Sequence, residues 1–551
     1  MPEEPAIPIS LLNWLLALTP LAVLLILLVA LRWKAAQAGP AGYLVAAAIA
    51  VLFFRTPIQT LAIGTAKGFW DAVFILYIVW TALALYEVAK GGNVFEAFRV
   101  GVREFTPNRL VQFLAFGLVF VLFLQATAGF GTPIAVVAPL LIGLGVRPLY
   151  AVSLALIGHV WGNSFGSLAI SWLAMNLVVP VTEPTMTLVV AGVLLALAVL
   201  ASAFTLTWAF GGRSALRDGW PLVLALVIIY GLGQLVIAPF VPELAALVPA
   251  AVALGAIYWL GRRPRYQTKM AGAVRREILI ERSAGSELST EEAERQREAE
   301  AERHAKPPLL LGFVPYIALV GFLLVTLALT QAFPALDALE LGFGFPETTT
   351  GYGVTREAEE VYSGLNPISH PGTSVLFAVL LGYAVLHARG YIRREQVPEI
   401  LRQTAGNALP ASVAVIGFLA MSQTMDHSGQ IFVLARGIAE VLGPALYSGA
   451  SVFIGALGAF MTSSNTASNA LFSPLHVQAA QALGINEGIV LGGQMAGGAY
   501  GNAIAPANMV LGTGTAQITG QEGAVLRQTL PWTLVVSLLG ALVTIGVYLF
   551  V

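Results

Sequence analysis

The chain is 551 residues long, 57% hydrophobic and 11% charged, with a formal net charge of -1 and no cysteine. Soluble domains carry roughly a quarter of charged residues, so this composition, with a mean hydropathy of +0.80, excludes a soluble globular domain and points to an integral membrane protein. Nothing favours nucleic-acid binding, which shows as a basic stripe, and disulfide or thiolate chemistry is ruled out.

Apolar blocks are read, in chain order, at 10–32, 39–54, 69–89, 109–127, 130–146, 148–180, 186–210, 219–240, 242–260, 309–333, 371–388, 404–425, 443–461, 468–483, 486–518 and 529–551. Many approach the roughly 20 residues that cross a bilayer as a helix, and none alternates polar and apolar as a barrel strand would. Glu3 and Glu4 precede the first block where a signal peptide would have basic residues, so that block is expected to stay as an anchor. Residues 262–308 form a charged loop in which 291–298 reads as an exposed helix, and 334–370 reads as an external loop. Lys and Arg collect on the cytoplasmic side of short loops. That rule turns Arg32, Lys34, Lys90, Arg99, Arg103, Arg109, Arg213, Arg217, the charged loop, Arg389, Arg393, Arg394 and Arg402 inward, provided that 109–146 makes two passes or a re-entrant hairpin.

Two blocks are broken at matching places. Trp161-Gly162-Asn163 and Tyr500-Gly501-Asn502 stand 339 residues apart, as do Leu144, Gly145 and Gly158 from Leu483, Gly484 and Gly497. Gly92, Val94, Phe95, Arg99, Phe123 and Thr127 meet Gly429, Ile431, Phe432, Arg436, Phe460 and Ser464 at an offset of 337. Small residues recur in any helix bundle, but this ordered series around two breaks reads as a duplication. An odd number of blocks separates the copies, which makes them inverted, a plan common among secondary transporters. The expected architecture is an all-α polytopic membrane protein with two inverted repeats, interrupted helices and re-entrant segments. Its parts are 1–68, a first repeat at 69–210, linking helices at 211–261, the charged loop, helices at 309–403 and a second repeat at 404–551.

A helix stopped inside hydrocarbon survives only where protein or a watery cavity satisfies its backbone. The breaks are therefore the candidate substrate site. In the first copy Thr127, Gly129, Gly131 and Thr132 precede or flank Pro133, and in the second Ser463, Ser464, Asn465, Thr466, Ser468 and Asn469 supply hydroxyls and amides. Amides at a resuming half-helix favour an anion, and a small carboxylate fits. Asn163, Ser164, Asn502 and Asn508 are further candidates for hydrogen bonds to it, against the plainer role of helix-to-helix bonding. Ionisable residues are costly in a bilayer and functional by default. Of the few here, His159, one turn before Asn163, and Asp426-His427 are the candidates for carrying a proton, whereas Asp71 and Glu87, near block ends, read as interfacial. No histidine pair has metal-ligand spacing.

At these residues the chain resembles the L-lactate permease family. The likeness rests on Ala128-Gly-Phe-Gly-Thr-Pro-Ile-Ala-Val, on Pro139-Leu-Leu-Ile-Gly-Leu-Gly, on Ser464-Asn-Thr-Ala-Ser-Asn-Ala-Leu-Phe, on Gly501-Asn-Ala-Ile-Ala-Pro-Ala-Asn, and on Gly514-Thr-Ala-Gln and Gly520-Gln-Glu-Gly. It implies proton-coupled uptake of lactate or glycolate, multi-pass, through a bacterial inner membrane, and a distant kinship with the ion-transporter superfamily. The family commonly carries a glutamate before the Ala-Gly-Phe-Gly motif, and the position here is Gln125. An amide shuttles no proton, which leaves coupling to His159, Asp426 or Na⁺.

The expected function is thus a secondary transporter, not an enzyme, importing L-lactate, D-lactate or glycolate by proton symport with no cofactor. Its partners are the small carboxylate and the lipid bilayer, with a homodimer left open. The rival readings are a Na⁺-coupled carrier of a dicarboxylate or other anion, and a passive anion channel. An intramembrane enzyme ranks lower, because the blocks pair no nucleophile with a base.

Overall fold

The computed structural model describes residues 6–129, 131–267, 278 and 306–551. Among these residues eleven helical runs are long and apolar enough to cross a membrane, so the chain is a predominantly helical polytopic membrane protein. The expected helix at 291–298 lies outside the described residues. Large apolar side chains such as Phe240, Leu534, Leu538 and Leu542 are exposed, as a lipid-facing surface requires.

α1 (Leu11–Leu25) runs on through a wider π turn to Ala30, and α2 (Ala35–Leu52) returns. A first series follows: α3 (Ile58–Gly91), α4 (Val94–Phe105), α5 (Arg109–Leu114) leading through a π turn into α6 (Val121–Ala128), α7 (Thr132–Gly143), α8 (Pro148–His159), α9 (Gly166–Val178) and α10 (Pro184–Ile237). Gly211 and Gly212 break α10 into two helices. After α11 (Leu247–Gly261), α12 (Val314–Ala332) and α13 (Pro371–Ala388), a second series has the same order. It comprises α14 (Val397–Ser428), α15 (Gln430–Val441), α16 (Pro444–Thr462), α17 (Asn465–Leu483), α18 (Glu487–Gly501), α19 (Pro506–Thr515) and α20 (Glu522–Phe550).

Two packed pairs of segments run antiparallel, α3 with α14 and α8–α9 with α18–α19. α3 and α14 pack along their whole lengths, Gly64 against His427, Gly68 against Ala420 and Gly91 against Ile400. At one end of the next pair, Thr182, just past α9, donates through its amide and its hydroxyl to the carboxylate of Glu487 at the start of α18, both at 2.6 Å. At the other end Gly512 of α19 lies against Val152 of α8. Close approach depends on glycines at equivalent places. A Cβ on Gly158 would fall inside the van der Waals shell of the Gly117 carbonyl oxygen, and one on Gly497 inside that of Val452.

The 334–370 segment departs from the all-helical expectation. It holds β1 (Leu341–Phe345) antiparallel to β4 (Glu359–Leu365), with β2 (Thr348–Thr349) and β3 (Thr355–Arg356) paired at the tip. Sequence alternation is weak because these strands are mostly exposed on both faces. The hairpin sits where the chain begins and where α2 ends: Ala6 N–H donates to Tyr352 O at 2.9 Å and Gly351 N–H to Arg55 O at 3.0 Å. At the opposite end, Arg147 N–H donates to Ile278 O of the charged loop at 2.7 Å. Arg436, which is not among the residues that the charge rule turns inward, stacks its guanidinium 5.4 Å from the Phe432 ring on the short α15.

Helix ends differ from the apolar blocks where buried polar residues are involved. The block 69–89 is part of Ile58–Gly91, and 404–425 is part of Val397–Ser428. Asp71 and Glu87, read as interfacial, are both buried against α14. Glu87 pairs with Lys90 at 3.2 Å and accepts from Asn407 at 3.3 Å.

Adding a methyl group at Gly158 or Gly497 overpacks a backbone contact, which typically costs about 1–3 kcal/mol. Gly158→Ala and Gly497→Ala should each lower the melting temperature in detergent, whereas Gly546→Ala, with open space around it, should not; equal melting temperatures for all three would contradict this packing.

Candidate functional site

Four interruptions meet in the middle of the bundle. Between α6 and α7 the chain turns through Gly129 (φ 32°) and Gly131 (φ 82°), values that favour glycine. Between α16 and α17 it turns through Ser463 (φ 56°) and an extended Ser464. Between α8 and α9 a 3-10 turn, Val160–Gly162, precedes three left-handed residues, Ser167, Leu168 and Ala169. Left-handed non-glycine backbone costs about 1–2 kcal/mol per residue and persists only where packing enforces it. Between α18 and α19 a second 3-10 turn, Asn502–Ile504, precedes Pro506.

The tips interlock through side chains. Gln125 packs against Gly162 and Gly166, and Gly129 against Ser167, so the first hairpin tip is fitted to the α8–α9 break. Ser164 donates to Met495 O at 2.9 Å and accepts from the Asn465 amide at 3.3 Å. Ser171 meets Thr466 at 3.2 Å and donates to Asn163 O at 3.2 Å, and Asn469 donates to Ser171 O at 2.9 Å. Asn465, Thr466 and Asn469 of α17 thus bind the segment 163–171 directly. The seam is neutral: among the described residues no Asp, Glu, Lys or Arg side chain bonds to these groups.

Two buried polar atoms in this seam have no partner, the Asn163 Nδ2 donor and the Asn465 Oδ1 acceptor. Each such atom costs about 1–3 kcal/mol if left unpaired. At the start of α17, Ser464 Oγ accepts from Ala467 N–H and its carbonyl from Ser468 N–H, which leaves the amides of Asn465 and Thr466 as uncapped donors of the first turn. α7 differs. The Thr132 amide is bonded to Gly129 O, and those of Ile134 and Ala135 to Gly131 O, so this half-helix offers few free donors. Thr127 turns its hydroxyl back to Phe123 O and Leu124 O.

Asn502 does not bond to Asn163. It accepts from Asn508 at 3.2 Å, while Asn508 Oδ1 lies beside Gly131 and Ser463 Oγ accepts from Ala507 N–H at 3.2 Å. The second break therefore touches both hairpin tips. His159 is buried, with Nδ1 tied to Leu156 O at 2.8 Å, and Asp426 holds Arg356 of the hairpin at 2.7 Å. His427 binds Gln423 O at 2.9 Å. None of these three bonds to the seam.

Sequence reading missed the second tier. Tyr447 OH donates to His476 Nδ1 at 2.8 Å, His476 Nε2–H to Gln494 Oε1 at 3.0 Å, and Gln494 Nε2 to Ser468 Oγ at 3.0 Å and Asn469 Oδ1 at 3.4 Å. Because the Gln494 oxygen can only accept, the proton belongs on His476 Nε2. Next to Thr466 a cavity of about 10 Å³, lined by Ala174, Val415, Phe418, Leu419 and Ala470, has room for about one water.

The chain matches the family model described as L-lactate permease over residues 13–550. It is 27% identical to the L-lactate permease of Salmonella typhi, covering 98% of this chain and 96% of the relative. It is 24% identical to the glycolate permease GlcA of Escherichia coli, with 98% and 96% covered. Among solved structures it is similar to the Alcanivorax borkumensis YdaH transporter, at 13% identity and a TM-score of 0.41, covering 88% of this chain and 86% of that one.

Gln494→Leu removes the link between His476 and the α17 tip and strands buried partners. It should cost about 1–3 kcal/mol and lower the melting temperature in detergent; an unchanged transition would contradict the chain of bonds from Tyr447 to Asn469.

Proposed function

The chain belongs to the L-lactate permease family, and from that premise we propose that it imports short 2-hydroxy monocarboxylates, L-lactate foremost, by proton symport. It is a multi-pass protein of the bacterial inner membrane. The reading includes two copies in opposite orientation, 69–210 and 404–551, whose broken helices close on one substrate.

The observation that carries it is the pair of unpaired atoms in a neutral seam. A carboxylate accepts hydrogen bonds and a 2-hydroxyl both donates and accepts. Asn163 Nδ2, together with the uncapped amides of Asn465 and Thr466, suits the carboxylate, and Asn465 Oδ1 suits the hydroxyl. A single negative charge needs no buried arginine when helix N-terminal amides supply the field. A dicarboxylate would leave a second charge without a partner, which makes the monocarboxylate the better fit. Thr127, Gly129, Gly131, Thr132, Ser164, Ser463, Ser464, Asn469, Asn502 and Asn508 shape the surrounding tips in this reading.

In proteoliposomes, labelled L-lactate should accumulate above equilibrium when the outside is acid. Flux that only equilibrates would make the protein a channel, and accumulation driven by an imposed Na⁺ gradient at constant pH would replace the proton. Asn163→Ala, Asn465→Ala and Asn502→Ala should each lower kcat/KM at least tenfold, about 1.4 kcal/mol; wild-type kinetics in all three would overturn the site.

A further inference from the structure

A second cluster of polar groups is buried under the external hairpin, and the seam does not use it. Asp71 of α3 is fully buried. Its Oδ2 accepts from Tyr362 OH of β4 at 2.8 Å and from Gln423 Nε2 of α14 at 2.8 Å, while Gln423 Nε2 is also 2.7 Å from the Tyr362 oxygen. Its Oδ1 makes no hydrogen bond among the described residues. Gly68 makes this geometry possible, since it brings α3 against the α14 backbone at Leu419 and Ala420, one turn from Asp71 and Gln423.

The charged groups around Asp71 come from both sides. Lys67, one turn back on α3 and itself buried, reaches Glu359 of the hairpin at 3.1 Å and lies 4.6 Å from the Tyr362 ring. From α14, His427 binds Gln423 O through Nδ1 and leaves a buried Nε2 without a partner. Asp426 next to it is neutralised by Arg356 of β3. The hairpin is held over this cluster by Trp70 Nε1–H, which donates to Ser363 O at 3.1 Å, and by the edge contact of Trp70 with Phe343 at 4.8 Å.

The Tyr362 hydroxyl also lies 3.4 Å from Leu177 O, at the end of α9. α9 is the helix whose beginning carries Ser171, bonded to Thr466 and Asn469. One tyrosine on the hairpin therefore touches both the buried carboxylate and the helix that forms the substrate seam. Residues of α3, α9, α14 and α17 also share one apolar cluster, including Ala72, Ile75, Ala174, Leu419 and Ala470, so movement of α9 is felt at Asp71.

We propose that Asp71 is the proton-carrying group of the transport cycle and that the hairpin is its outer gate, a proposal that rests on the transport reading above. With the hairpin closed, Lys67 is paired with Glu359, and the open Oδ1 carries the proton taken from outside. That proton leaves to the cytoplasm with the substrate when the seam opens inward under the closed hairpin. When the hairpin then lifts, Glu359 and Tyr362 leave together, Lys67 turns to Asp71 at i,i+4 spacing, and the emptied carboxylate stays ionised and paired until it takes its next proton from outside. A buried charge needs such a partner, so gate position and proton occupancy change together. This assignment supplies the carboxylate that Gln125 does not.

The test uses the full chain in proteoliposomes with labelled L-lactate. Asp71→Asn should lose at least tenfold of the accumulation driven by an acid exterior, while exchange of internal for external lactate without a gradient persists. Accumulation at the wild-type level in Asp71→Asn would overturn the proposal. If the wild type itself neither accumulates nor exchanges lactate, the transport reading fails first. Should Asp71→Asn lose both activities, Tyr362→Phe decides. It keeps the carboxylate but removes a donor that favours its ionised form, so uptake should extend to pH values about one unit more alkaline; an identical pH profile would overturn the gate.

Discussion

The structure depends on one constraint: in hydrocarbon a backbone amide or carbonyl that leaves a helix must find its partner inside the protein. Breaks at Gly129, Val160–Gly162, Ser463 and Asn502–Ile504 are affordable only because each is packed against another. Gln125 fills the space beside Gly162 and Gly166, Ser164 takes the carbonyl of Met495, and Ser463 caps Ala507. Hydroxyl and amide side chains of this kind close the gaps without introducing charge. Asn163 Nδ2 and Asn465 Oδ1 are among the buried polar atoms left without a partner, and these two are the ones that the proposed function assigns to the substrate.

Much of the helical architecture is legible in the chain because helix breaks leave a local mark. Glycine, asparagine and proline in membrane-grade sequence announce each interruption, and the breaks near 162 and 501 lie where those residues put them. What depends on distant partners leaves no such mark. Asp71 looks like an isolated acid near a block end, yet its partners Tyr362 and Gln423 are 291 and 352 residues away. Ser171, His476 and Gln494 sit in apolar runs where a satisfied packing role and a structural network read alike. The strands of the hairpin escaped notice because exposed strands lack alternation.

Substrate seam and buried carboxylate are linked by α9, which gives the proposed symport a physical route. The space beside Thr466 is about 10 Å³, too small for a three-carbon acid, so in the proposed cycle the tips move when the substrate binds. Coupling requires that this movement change the surroundings of a titratable group. Tyr362, touching Leu177 O and Asp71 at once, is the side chain placed to transmit it. Asp426, already held by Arg356, stabilises the gate in this account and carries no proton.

We propose the two series as copies in opposite orientation, so that their breaks close on one site from the two sides of the membrane. Since the chain has no cysteine, Leu144→Cys and Leu483→Cys each create a single labelling position at equivalent places of the two copies. A membrane-impermeant maleimide applied to right-side-out and inside-out vesicles should reach Cys at 144 from the cytoplasmic side and Cys at 483 from the outside. Labelling of both from the same side would contradict the account.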